Sequence, residues 1–157
     1  MSDFYTALTS ELRNDPSGLG YANKTDTEVS DLINDPTRDE VDHHVFVTLR
    51  GVIERLVERG IDPNVTIAKL DTAAASSPVV AEGMRALRYY GDGGGLDFAN
   101  VATRAMVVQL QAAGVLTDQE TAAILSLGRR KASRAEALGL AGVNQYHVQS
   151  ARAMMQE

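Results

Sequence analysis

The chain contains no cysteine. Disulfides, thiolate nucleophiles and Cys-ligated zinc are thereby excluded. It has no tryptophan, and aromatics make up only 5% of its 157 residues. Ala, Leu and Val must therefore fill most of the core. No stretch reaches the roughly 18 consecutive apolar residues of a membrane-spanning helix. The opening Met1-Ser2-Asp3-Phe4 lacks the basic-then-apolar pattern of a secretory signal. No segment alternates apolar and polar residues as a half-buried strand would, and no internal repeat of fixed period occurs.

What is present suits one globular domain: 44% hydrophobic and 23% charged residues. A chain of roughly 150 residues buries about 70% of its unfolded surface and needs no metal or staple. We expect a single helical domain over residues 1–157, with Gly91-Asp92-Gly93-Gly94-Gly95 as its candidate hinge. The net charge of −6 is uneven: residues 1–62 carry 13 acids against 6 bases, residues 63–157 carry 8 against 9. An acidic first half is a poor partner for a phosphate backbone. It suits basic protein surfaces, or simply solubility.

Helix punctuation recurs along the chain. Asp3 to Asn14 puts Phe4, Leu8 and Leu12 on one face, and Asp15-Pro16 stops it. A loop follows in which Gly18 and Gly20 allow positive φ and Leu19 and Tyr21 anchor inward. Thr25 and Glu28 form a capping box ahead of a short helix with Val29, Leu32 and Ile33 inward. Thr37 to Glu40 repeats the pattern. It opens the expected central helix, about 37–59, with Val45, Leu49, Val52, Ile53, Leu56 and Val57 as its stripe. Val45-Phe46-Val47 is β-prone in isolation, but the helical stripe overrides it. Helices are expected after Asp62-Pro63, after Ser77-Pro78 (Val80, Met84 and Leu87 inward), and over about 97–113. Further ones follow the caps at Thr117, at Ser133 with Glu136, and at Asn144. The reading is all-α: seven to eight mostly short helices around one long amphipathic helix.

The candidate chemistry is thin. Gly91–Gly95 lacks the Lys-Ser/Thr of a phosphate loop and follows no strand. On a helix His43 and His44 would share faces with Asp39 and Glu40, yet no further ligand cluster completes a metal site. No nucleophile elbow is readable, and a glycosidase carboxylate pair cannot be picked out. Arg129, Arg130, Lys131 and Arg134 form the one basic cluster, between two short helices. That layout fits a helix-turn-helix DNA reader or a protein contact, and the acidic balance favours the protein contact.

Two segments resemble a known family. Glu11 to Ala22, reading E-L-R-N-D-P-S-G-L-G-Y-A, is followed by Thr25-Asp26 and Asp31-Leu32-Ile33-Asn34. Ala132 to Leu140, reading A-S-R-A-E-A-L-G-L, has Val148 and Ala151-Arg152 behind it. Together these are similar to small uncharacterised proteins encoded among the structural genes of tailed bacteriophages. Residues 37–130 resemble that family only loosely. The resemblance implies a virion component assembled in the host cytoplasm, at the head–tail connection, tail or baseplate. Its partners would be other virion proteins and copies of itself. From the residues themselves no enzyme activity, cofactor, metal or membrane is expected. A DNA-binding regulator or packaging factor using 129–134, and an assembly chaperone, are the alternatives. Gly18, Gly20, Tyr21, Thr25, Glu28, Ser133 and Glu136 are read as loop and cap residues, with Arg134 pointing outward.

Overall fold

A computed structural model describes residues 3–156. About 61% of the protein is helical, with nine α-helices and four short strands among the described residues. In order these are α1 (Asp3–Asn14), α2 (Asp26–Asn34), β1 (Asp39–Asp42), β2 (Phe46–Val47), α3 (Leu49–Glu58), α4 (Pro63–Ala74) and α5 (Pro78–Arg88). Then come β3 (Leu96–Asp97), α6 (Val101–Ala112), α7 (Asp118–Leu125), β4 (Arg129–Ala132), α8 (Arg134–Ala137) and α9 (Gln145–Met154). Single 3-10 turns lie at Tyr21–Asn23 and Ser126–Gly128.

The caps do what their residue types dictate. Thr25 accepts from the amide of Glu28, and the Glu28 carboxylate accepts from the amide of Thr25 at 2.8 Å. Thr117 and Glu120 repeat the box. At Ser133 the hydroxyl accepts from the amide of Glu136 at 3.1 Å. Asn144 opens α9 in a box closed by His147 rather than by an acid. Gly18 and Gly20 adopt φ of 64° and 72°, conformations in which a Cβ is strained.

The expected long helix at 37–59 is replaced by two strands and a ten-residue helix. Thr37 does not cap. Its hydroxyl and amide both donate to Asp35, closing a turn instead. Beyond it, β-branched Val41, Val45 and Val47 favour extended backbone once partners exist. β1 pairs with β4, and β2 pairs antiparallel with β3, Phe46 opposite Asp97 and Val47 opposite Leu96. The all-α reading is thus corrected to mostly helical with two small sheets. The expected helix from 97 begins at Val101. The Asp97 carboxylate accepts from the amide of Ala99 and Asn100 supplies the cap, so Phe98 is buried ahead of the helix rather than on it.

The chain forms two compact units. A terminal unit comprises residues up to Val41 together with those from Lys131 onward, and a central unit comprises Asp42–Arg130. Each has its own apolar core. In the terminal unit Leu8, Leu12, Tyr21, Val29 and Ile33 meet Ala135, Val143, Val148 and Ala151. In the central unit Val52, Leu56, Met84, Leu87, Phe98 and Ile124 pack together, α4 lying on α5 and both α3 and α6 on α7. The glycine run 91–95 lies inside the central unit. There Gly95, at φ 96°, comes so close to Val47 that an added Cβ would stand 2.8 Å from its carbonyl oxygen.

Candidate functional site

Three groups of side chains stand out. The first is a buried ionic cluster in the terminal unit. Glu11 lies on the same face of α1 as Leu8 and Leu12 and is only 3% exposed. The Arg134 guanidinium grips it through Nε at 2.9 Å and Nη2 at 2.8 Å, and its third nitrogen reaches Asp39 at 3.0 Å. The Tyr21 hydroxyl donates to Glu11 at 3.0 Å. Burial, with the Glu11 charge beside it, pushes the Tyr21 phenol far up, so it stays a neutral donor. The hydrogen bonds it donates to Glu11 hold Arg134 firmly protonated, and those donated by Arg134 and the Glu40 amide draw the Asp39 carboxyl below its ordinary value. Tyr21 is 1% exposed and Glu11 3%, so both are shielded from solvent, while the Arg134 side chain keeps 21% of its surface. The chemistry of the cluster is cohesion. The expectation that Arg134 points outward is corrected: a buried carboxylate without a counter-charge is too costly, and Arg134 supplies it.

A second arginine works alongside it. Arg152 on α9 donates to the carbonyls of Tyr21 at 2.6 Å and Lys24 at 2.8 Å, and pairs with Asp26. Asp15, at φ 40°, accepts from the amides of Leu19 and Gly20 at 2.8 and 2.7 Å and sets the loop that delivers Tyr21. The two segments quoted for the phage resemblance therefore lie together. Sequence reasoning picked out Gly18, Gly20 and Tyr21 but missed Glu11, Asp39 and Arg152. The signal for Glu11 was there: it falls three residues after Leu8 on the apolar face.

The second group is the basic cluster. Arg129, Arg130 and Lys131 sit on strand β4, not in a turn between helices. Arg129 pairs with Asp42 at 3.2 Å and Lys131 with Glu40 at 3.0 Å. Arg104 shares Asp42 at 3.3 Å. As residue numbers rise along 39–42 their partners fall along 134–129, the sense of an antiparallel ribbon. The basic residues thus meet the chain's own acidic stretch.

The third group belongs to the central unit. Phe46, Tyr89 and Tyr90 are 71%, 58% and 68% exposed. They flank the turn 91–95: Tyr89 lies over Gly91, and Gly95 abuts Val47 beside Phe46. Tyr90 lies near Arg50 and Arg88. An open groove of about 870 Å³ runs along α4 and α5 beneath Tyr89. Its arginines are paired, Arg85 with Glu82 at 2.6 Å and Arg88 with Asp71 at 2.7 Å. An apolar cavity of about 30 Å³ lies in the core among Leu70, Met84, Phe98 and Ile124, with almost no polar surface to hold a water.

His43 and His44 do not share helix faces with Asp39 and Glu40, since that segment is extended. Nδ1 of His44 instead meets Asp97 at 2.8 Å, which lowers the Asp97 carboxyl and ties β2 to β3. No group of three or more His, Asp or Glu side chains placed to hold a metal occurs among the described residues. No helix among them is long and apolar enough to cross a membrane. No protein-family model, no characterised protein and no solved structure matches the chain.

Proposed function

We propose that this protein is a non-enzymatic structural component of a tailed bacteriophage particle, at the head–tail connection, tail or baseplate, working through protein–protein contacts. The observation that carries the reading is the surface of Phe46, Tyr89 and Tyr90 on the central unit. Large aromatics in water are costly to maintain and are the residue types that dominate interface energies. The phage context comes from the resemblance at both ends. Its residues have structural work in the terminal unit. The DNA-binding reading at 129–134 is the weaker one, because Arg129 and Lys131 already have carboxylate partners and Arg134 is committed to Glu11.

The test is to purify the particle whose genes include this chain and identify its proteins by mass spectrometry. The chain is expected in mature particles. The triple variant Phe46→Ala, Tyr89→Ala, Tyr90→Ala should fold with unchanged stability yet fail to be incorporated. Presence in assembly intermediates alone would favour the chaperone reading. Absence from both overturns a virion role.

A further inference from the structure

The terminal unit is built from two chain segments separated by the 89 residues of the central unit, 42–130. Their contributions are unequal in kind. The first segment brings acceptors: Glu11, Asp39, Asp26 and the carbonyls of Tyr21 and Lys24. The second brings the donors, Arg134 and Arg152. Formal charge follows the same division, nine acids against three bases in 1–41 and two against three in 131–157. Asn34 and Val143 complete the join by bonding each other in both directions.

Without the second segment the first has little to fold around. Helices of 12 and 9 residues, α1 and α2, are marginal in water on their own. Their inward faces, Leu8 and Leu12 with Val29 and Ile33, would lose the apolar surface of α9. Glu11 would face that site with no counter-charge. The central unit differs. Its core is complete within 42–130, and its own fold brings its two ends together: the His43 amide donates to the Gly128 carbonyl at 2.9 Å, and Asp42 meets Arg129. Once these bonds form, joining the two outer segments no longer requires closing a long flexible loop.

We propose that the segment from Lys131 through Arg152 is a completion latch: α1 and α2 stay unfolded until Arg134 and Arg152 reach them. Only a chain synthesised through Arg152 then presents a folded terminal unit. A chain interrupted earlier exposes an acidic, partly apolar segment and is barred from whatever the terminal unit does. The device depends on no particular partner and stands independently of the virion reading.

The full chain tests it by refolding from denaturant with pulse-labelled amide exchange. Amides of α3 to α7 should gain protection first, and those of α1, α2 and α9 later, with one shared rate. At equilibrium Arg134→Ala should lower protection in α1, α2 and α9 together by about 100-fold or more while α3 to α7 hold theirs. Adding Glu11→Gln should restore part of that loss, because the stranded charge is gone. Protection of α1 and α2 ahead of α9 overturns the latch. So does an Arg134→Ala effect confined to α8. If Arg134→Ala aggregates, the order of protection in the unaltered chain decides alone.

Discussion

Each unit buries one glutamate almost completely, Glu11 at 3% exposure and Glu120 at 4%, each facing a cation distant in sequence, but only Glu120 also closes a helix cap. Glu120 is held first by its own helix cap and then by two side chains of α4. It accepts from the Thr117 amide at 2.7 Å as part of a helix cap, then from Thr66 at 2.7 Å and Lys69 at 2.9 Å on α4. Glu11 depends on Arg134, 123 residues along the chain. The central unit therefore owes its stability chiefly to spread-out aliphatic packing, with one buried acid that also caps a helix. The terminal unit concentrates cohesion in a few polar links between remote segments. A buried ion pair adds little net stability over apolar packing, but removing one partner is severe. The terminal unit is thus the one a single polar substitution can undo.

The sharpest way to break the comparison is Arg134→Ala. It strands Glu11 and removes a partner of Asp39, and should cost about 3–5 kcal/mol in the terminal unit. Unfolding followed by near-ultraviolet Tyr signals and amide exchange checks this. A cost below 1 kcal/mol would falsify the claim that the cluster dominates that unit. The matching lesion in the central unit is steric. A Cβ on Gly128 would stand 2.3 Å from the Phe98 carbonyl carbon and oxygen, backbone atoms with no freedom to retreat. Gly128→Ala should therefore cost about 3 kcal/mol, seen as lost protection in α3 to α7.

Glu120→Gln is a milder probe. Burial alone would raise the Glu120 carboxyl, but the Thr117 amide, Thr66 and Lys69 outweigh it and bring it down to about 2. A lowered folded-state value means its stabilisation is complete above the ordinary carboxylate range and fades as pH falls from about 5 towards 2. The substitution should cost about 2 kcal/mol at neutral pH and flatten acid sensitivity over that window. An unaltered slope would show that other carboxylates govern acid unfolding of the central unit.

The difference between the units also explains what could be read from the sequence. Caps are local chemistry, so Thr25, Thr117, Ser133 and Asn144 were legible, as were α1 and the buried face of α5. Strand partners are not local. Val47 is extended because Leu96 lies beside it, and Asp42 because Arg129 does, and neither fact is written in residues 37–59. The helical stripe over 45–57 was genuine only from Leu49 to Leu56, since Val57 is 59% exposed, and extrapolating it backwards produced a helix that pairing prevents. The same blindness placed Arg134 on the surface: its partner is Glu11, and no spacing rule links positions 123 apart.

The smallest predicted effect separates the two kinds of charge on one stretch of chain. Arg129 and Lys131 lie three positions and one position before Ala132, close in sequence to Arg134, yet their side chains are 38% and 63% exposed. Exposed ion pairs lose most of their attraction to water and to the entropy of fixing two long side chains. Arg129→Ala and Lys131→Ala should each cost about 0.5 kcal/mol or less, falling further in high salt. Chemical denaturation at low and high ionic strength measures both. If either approaches the cost of Arg134→Ala, the pairs along 39–42 and 129–132 belong to the cohesive network. If both stay small while Arg134→Ala is large, burial decides which cations of this cluster hold the fold.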